Sequence, residues 1–222
     1  MKNRVFVARA VLAAALLVAF GAGQAAAGPL TISPTTTMLA TPTNNNIFNG
    51  GTYGQQFGYL GANLQLTGAA GTWLITYTYL GYEAGYTNFF GDLSDQFRFN
   101  NKLSPLAATF TQTVVSAGSP INLDFRFTAN GSSGLQVTNG VNNFWPEVGP
   151  NFFLAIVGSP YATSGASAYV ALDDQFFAGD DDNHDDLVVR VDARQVPDGG
   201  ATLSLLGCAL IGIGALRRRL RA

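Results

Sequence analysis

The sequence predicts an all-β protein: an antiparallel β-sandwich, jelly-roll-like, between an N-terminal signal-peptide helix and a C-terminal transmembrane helix. Three observations predict it. The chain is 12% aromatic and only 12% charged, with 26 glycines, and between Gly28 and Gln195 it is dominated by Tyr, Phe, Thr, Val and Gly, which favours strands and turns over helices. Several short runs alternate apolar and polar residues with a period of two, and no convincing amphipathic helix interrupts them. The continuous apolar runs, by contrast, lie at the two ends of the chain. This gives three segments: 1–27, a secretory signal peptide; 28–195, the exported β domain; and 196–222, a tail whose apolar helix covers about 201–216.

The first segment carries Lys2, Arg4 and Arg9, then an apolar core from Ala10 to Phe20, then Ala25 and Ala27 in an Ala-x-Ala pattern. A basic start, a short apolar stretch and small residues at the end are the order of a secretory signal peptide, cut near Gly28. The alternative is an uncleaved N-terminal anchor.

In the second segment, Thr31 to Gly51 is rich in Thr, Pro, Asn and Gly and reads as an irregular lead-in with one short strand at most. Phe57 to Leu66 is a strand interrupted by glycine. Trp73, Ile75, Tyr77 and Tyr79 alternate with Leu74, Thr76, Thr78 and Leu80, so the aromatic set shares one face. Ala108 to Ser116 is a Thr/Val-rich strand. Ile121, Leu123, Phe125 and Phe127 alternate with Asn122, Asp124, Arg126 and Thr128, one face dry and one wet. Asn151 to Val157 is apolar on both faces, as in a central strand. Ala168 to Leu172 and Leu187 to Val191 complete the set. Turns rich in Gly, Pro, Asn and Ser separate the runs.

The third segment has three parts in fixed order: Val196-Pro197-Asp198-Gly199-Gly200, the uncharged run Ala201 to Leu216, and a basic end with Arg217, Arg218, Arg219 and Arg221. The uncharged run is short for a bilayer, which takes about 20 residues, but arginine side chains reach outward and extend its effective span. Arginines behind an apolar helix stay cytoplasmic, which leaves the β domain outside. The tail resembles the PEP-CTERM sorting signal of exported bacterial proteins. It is closest to the variant written Val-Pro-Asp-Ser/Gly-Gly, with Gly199 where the common form has a second proline. The resemblance implies an exosortase-type membrane enzyme as partner, acting after the secretion machinery, and delivery to the cell surface or extracellular matrix. The alternative is a plain C-terminal membrane anchor.

Charge and cysteine usage exclude some functions. The formal net charge of −2 conceals an asymmetry. Seven of the twelve basic residues lie in the two terminal segments, while thirteen of the fourteen acidic residues lie between them, which puts the exported domain near −8. Such a domain is no nucleic-acid partner. The single cysteine, Cys208, lies in the tail, so the domain is held by its core alone, without an internal disulfide.

Within the domain, seven carboxylates crowd the stretch from Asp173 to Asp186. Like charges so close repel unless a cation or hydrogen-bond donors satisfy them. Asp180, Asp181, Asp182, Asn183, Asp185 and Asp186 are candidate calcium ligands, with an Asp-x-Asn-x-Asp spacing from Asp181. The sixth loop position is Asp186 rather than Gly, and a strand rather than a helix follows, so this is not an EF-hand. Two readings stay open: a calcium loop between strands, or a solvated acidic turn. No other cofactor is called for.

No catalytic constellation emerges, and the chain is not expected to be an enzyme. His184 is the one histidine, and it falls in the acidic stretch, which is expected to be exposed. Glu83 and Glu147 could supply a glycosidase pair, but nothing in the sequence brings them together. Exposed aromatics suggest a sugar-binding face instead, with Tyr82, Tyr86 and Trp145 as candidates and extracellular polysaccharide as partner. The leading expectation is an exported, non-catalytic structural or adhesive domain. A calcium- or carbohydrate-binding module is the alternative, and a glycoside hydrolase a more distant one.

Overall fold

A computed structural model describes residues 28–35, 37–41, 45–49, 51, 53–94, 96–129, 134–146, 149–174, 183–197 and 199–220. The predicted signal peptide, 1–27, and its cleavage site lie outside the described residues, as do Glu147, Asp180, Asp181, Asp182, Asp198 and Arg221.

The described chain is mostly strand, and its pairings are antiparallel. The strands are β1 (Leu30–Ser33), β2 (Thr37–Ala40), β3 (Phe57–Leu60), β4 (Asn63–Leu66), β5 (Gly71–Gly81), β6 (Phe89–Gly91), β7 (Phe97–Asn100) and β8 (Thr109–Ser116). They continue with β9 (Ile121–Asn122), β10 (Arg126–Thr128), β11 (Gln136–Thr138), β12 (Asn151–Ile156), β13 (Ser164–Gly165), β14 (Ser167–Asp173) and β15 (Leu187–Gln195). A helix, α1 (Gly199–Leu220), ends the described chain. One sheet has seven strands in the order β2-β3-β12-β14-β15-β5-β8, and two have four, β13-β1-β4-β9 and β11-β10-β6-β7.

The period-two pattern of β5 explains the main core. Trp73, Ile75, Tyr77 and Tyr79 are all buried while the residues between them are half-exposed. Leu30 and Ile32 of β1, Leu64 and Leu66 of β4, Phe90 of β6 and Phe127 of β10 join them in the same core. Both small sheets therefore pack on one face of the large one. Phe90 is the aromatic hub there. Its ring centroid lies 5.0 Å from that of Phe127, 5.4 Å from Tyr77 and 5.6 Å from Phe125. Each fully buried ring of this kind contributes on the order of 2–3 kcal/mol through apolar burial.

The opposite face of the large sheet has a smaller core. Phe153 and Ala155 of β12, Tyr169 and Ala171 of β14, and Val188 of β15 pack there against Phe48. This is why β12 is buried along its whole length, with Phe152, Leu154 and Ile156 in one core and Phe153 and Ala155 in the other. The segment around Phe48, read from sequence as irregular, is thus part of the packing.

Two predicted strands are broken. Phe57–Leu66 divides at Gly61, whose φ of +62° turns the chain, and its halves enter different sheets. Ile121–Thr128 is regular strand only at its ends, as β9 and β10, although Leu123 and Phe125 are buried as the alternation predicts. Strands β6, β7, β11 and β13 were not expected, and the lead-in from Thr31 holds two strands, β1 and β2, rather than one. β15 runs to Gln195, four residues beyond its predicted end.

Candidate functional site

The tail leaves the domain at the end of β15, deep in the large sheet. Gln195 pairs with Trp73 of β5 as the last rung of the ladder. The Val196 N–H donates to the Thr72 carbonyl at 2.8 Å, and the Gln195 side-chain amide donates to the Ala70 carbonyl at 3.1 Å. Gly71 makes room for that amide: its φ is +139°, and a Cβ there would lie 2.7 Å from the Gln195 nitrogen. Val196 and Pro197 are exposed beside a cavity of about 420 Å³ lined by residues 70–72, 195–197 and Gly199. The helix begins at Gly199, two residues after Pro197.

α1 spans 22 residues and includes Gly199, Gly200 and the arginines to Arg219, beyond the 201–216 expected. Ala, Leu and Arg are strong helix formers, and cations in the last turn are favoured by the helix dipole. Arg217, Arg218 and Cys208 are exposed. The expected transmembrane helix is not found: among the described residues, no helix is long and apolar enough to cross a membrane. The physical reason is the short uncharged run. Ala201 to Leu216 extends only about 24 Å at 1.5 Å per residue, against roughly 30 Å of hydrocarbon.

A second region gathers polar side chains at the corner where β5, β6, β14 and β15 meet the segment 45–49. Asn45 is fully buried. Its amide donates to the carbonyls of Asn183 and His184, at 2.6 and 3.3 Å, and its oxygen accepts from the N–H groups of Ile47 and Phe48, at 3.0 and 2.7 Å. The Asn46 N–H donates to Asp185 at 2.7 Å, and the Asp174 N–H to Asp186 at 2.7 Å. Asn101 joins the same corner: its side chain accepts from the Asn88 N–H at 2.9 Å and donates to the Tyr86 carbonyl at 3.0 Å.

This corrects the expectation that His184 sits in an exposed loop. His184 is 1% exposed. Its Nε2 lies 2.8 Å from the side-chain oxygen of Asn151, and its ring faces Phe153. Asn183 and Asp185 are equally buried. The backbone carbonyls of this stretch are drawn inward by Asn45, and its carboxylates by backbone N–H groups, so the C-terminal half of the acidic stretch is not a solvated turn. Of the candidate calcium ligands, Asn183, Asp185 and Asp186 lie in this corner. Among the described residues, no three His, Cys, Asp or Glu side chains converge on a common point as a metal site would require.

In front of this corner opens a cavity of about 520 Å³. Tyr82, Lys102, Asn46, Ser104, Tyr53 and Leu106 are among its lining residues. The Lys102 ammonium donates to the Ala84 carbonyl and stands 4.6 Å from the centroid of the Tyr82 ring. The Asn46 amide donates to the Glu83 carboxylate. Tyr79 closes the inner wall, and burial pushes its phenol well above the usual range. The three candidate sugar-binding aromatics are separated. Tyr82 lines this cavity. Tyr86 is exposed and does not line it, and Trp145 lies against Gly61 at the turn between β3 and β4. The sequence reading missed Asn45, Asn46, Asn101 and Lys102; the only signal was the run of three asparagines at 44–46, a pattern that turns also produce.

Comparison with known families finds one match, over residues 195–220. These residues carry a VPDSG-CTERM motif. It is a sorting-tail variant of the PEP-CTERM kind, as the resemblance implied, and it marks the chain as an exported, surface-directed protein with a C-terminal sorting tail. The VPDSG-CTERM motif covers the tail alone and says nothing of the β domain. No curated protein and no solved structure matches the chain.

Proposed function

We propose that this chain is an exosortase-type substrate whose tail delivers a non-catalytic, structural or adhesive β-sandwich domain to the cell surface. The observation that carries it is the exit of the VPDSG-CTERM motif from the end of β15, exposed at Val196 and Pro197 and followed at once by an arginine-ended helix. In this reading α1 and its arginine-rich end are the part of the tail that is removed from the domain. The sorting enzyme then acts within Val196–Gly200. The packing of both small sheets on one face of the seven-stranded sheet supports the sandwich. The burial of His184 behind Asn151 and Phe153 supports a non-catalytic role, because the one histidine is occupied in structure.

Intact-mass measurement of the exported protein tests this. The expected species begins near Gly28 and ends within the motif. A mature species that keeps α1 sinks the processing step and leaves a plain anchor.

A further inference from the structure

We propose that the cavity beneath Tyr82 binds a neutral oligosaccharide, with Tyr82, Lys102, Asn46 and Ser104 as its contact residues. This names a ligand for the non-catalytic surface domain proposed above and rests on that reading.

Size comes first. A volume of about 520 Å³ falls within the range of roughly 300–1,000 Å³ typical of small-ligand sites. Its lining is mixed. Tyr53, Tyr82 and Leu106 supply apolar surface beside the polar groups of Asn46, Lys102 and Ser104. The Ser104 oxygen accepts from the Asn100 N–H at 2.9 Å, which leaves its O–H to donate. Asn46 is exposed and its amide nitrogen is taken by Glu83, so what it offers a ligand is its carbonyl oxygen, an acceptor. The Lys102 ammonium has three N–H groups; Ala84 takes one, and no carboxylate among the described residues lies within ion-pair distance.

The alternatives fail on charge and solvation. An apolar ligand would strip water from Lys102 and return nothing to it. A polyanion would have to approach a domain of net charge near −8, with the Glu83 carboxylate bonded to Asn46 of the cavity lining. A neutral sugar offers hydroxyls to Lys102, Ser104 and Asn46, and C–H faces to the tyrosine rings, whose faces are electron-rich.

A backbone feature points to the same place. Ala107 lines the cavity with a φ of +63°, a conformation that disfavours a residue with a Cβ. It is held there by its N–H to the Tyr79 carbonyl and by the Tyr79 N–H to the Ala108 carbonyl, both 2.9 Å. Backbone strain of this sort concentrates at ligand sites.

The test uses the full chain in a zwitterionic detergent without a sugar headgroup. The probes are labelled tetrasaccharides of β-1,4-glucose, β-1,4-xylose and α-1,6-mannose, with an oligogalacturonate as the anionic counterpart. Binding of at least one neutral probe is expected, weakened about tenfold or more in Tyr82→Ala and Lys102→Met and unchanged in Trp145→Ala. Leu106→Arg fills the mouth of the cavity from a residue 71% exposed, so it should abolish binding with the melting midpoint unaltered. No binding of any neutral probe up to about 10 mM, binding indifferent to Tyr82→Ala and Leu106→Arg, or tighter binding of the oligogalacturonate would overturn the proposal. The mass of the exported protein reads tail processing separately, so failure of the sugar site and failure of the sorting reading are distinguishable.

Discussion

The Val196 N–H is bound to the Thr72 carbonyl at 2.8 Å, so the first residue of the sorting motif is still part of the β15–β5 ladder. A protease that reads its substrate as an extended strand needs that N–H free. Releasing it costs one backbone hydrogen bond, about 1 kcal/mol. Inserting a four-residue Gly-Ser linker between Gln195 and Val196 is therefore expected to speed processing, by up to about tenfold. Pulse-chase mass analysis of the exported protein checks this. An unchanged or slower rate would mean that the sheet does not restrain the motif.

Asn45 joins the segment 45–49 to the acidic stretch through two hydrogen bonds, spanning 138 and 139 residues of chain, and fixes its own segment through two more. Asn45→Ala leaves the buried carbonyls of Asn183 and His184 and the Phe48 N–H without these partners. A loss of about 2–4 kcal/mol is expected, read as a lower denaturant midpoint. Asn45→Asp should lose part of this as well, since a carboxylate cannot donate to those carbonyls.

Gly58 lies where β3 crosses β12, and a Cβ there would stand 2.0 Å from the Leu154 carbonyl oxygen. The obstacle is backbone, so no rotamer change relieves it. Gly58→Ala is expected to cost about 3 kcal/mol or more and to detach β3, which thermal melting and hydrogen exchange at Tyr59 and Leu60 would report. A variant as stable as the parent would show that this edge of the sheet can shift.

Asp92 is 5% exposed and accepts from Arg98 at 2.7 and 3.0 Å and from the Ser94 N–H at 3.1 Å. Burial pushes its carboxyl up, but the Ser94 and Arg98 contacts outweigh that and hold it below the usual range. A carboxylate lowered in the folded state stabilises above its unfolded pKa, and the contribution is lost as the pH falls through the folded value. Asp92→Asn should therefore destabilise near neutral pH by about 1–2 kcal/mol, and its midpoint should converge on the parent's in strong acid. A constant difference across the acid range would rule out the ionic contribution.

Asp185 and Asp186 each accept a backbone N–H at 2.7 Å, from Asn46 and Asp174. Each bond engages one oxygen of its carboxylate and draws it toward the protein rather than toward solvent. The melting midpoint is expected to stay the same with millimolar calcium or with chelator. A rise with calcium would show that the ion binds the native state, since only such binding stabilises by mass action.

Much of the fold was legible because alternation is a local property. Trp73, Ile75, Tyr77 and Tyr79 point inward and β12 is buried on both faces, as their patterns predicted. The break at Gly61 was less legible, because a glycine within an apolar run fits a continuous strand as well as a turn between two sheets. The polar corner was hidden for a stronger reason. Asn45 meets His184 across 139 positions, and nothing local distinguishes it from a turn asparagine. The acidic stretch misled in the same way: charge composition suggests exposure, whereas Asn45, Asn151 and the N–H of Asn46 draw its second half inward.

By itself the sequence determined the all-β class, the acidic domain and the sorting tail, because period-two patterning, charge and a three-part motif need no partner elsewhere in the chain. Only the tertiary structure decided that β15 carries the motif out of the middle of a sheet, that His184 is buried, and that Tyr82 and Lys102 share a cavity which Trp145 does not. Those depend on which distant strands pair, and pairing is settled by the cooperative burial of two cores that no local window contains.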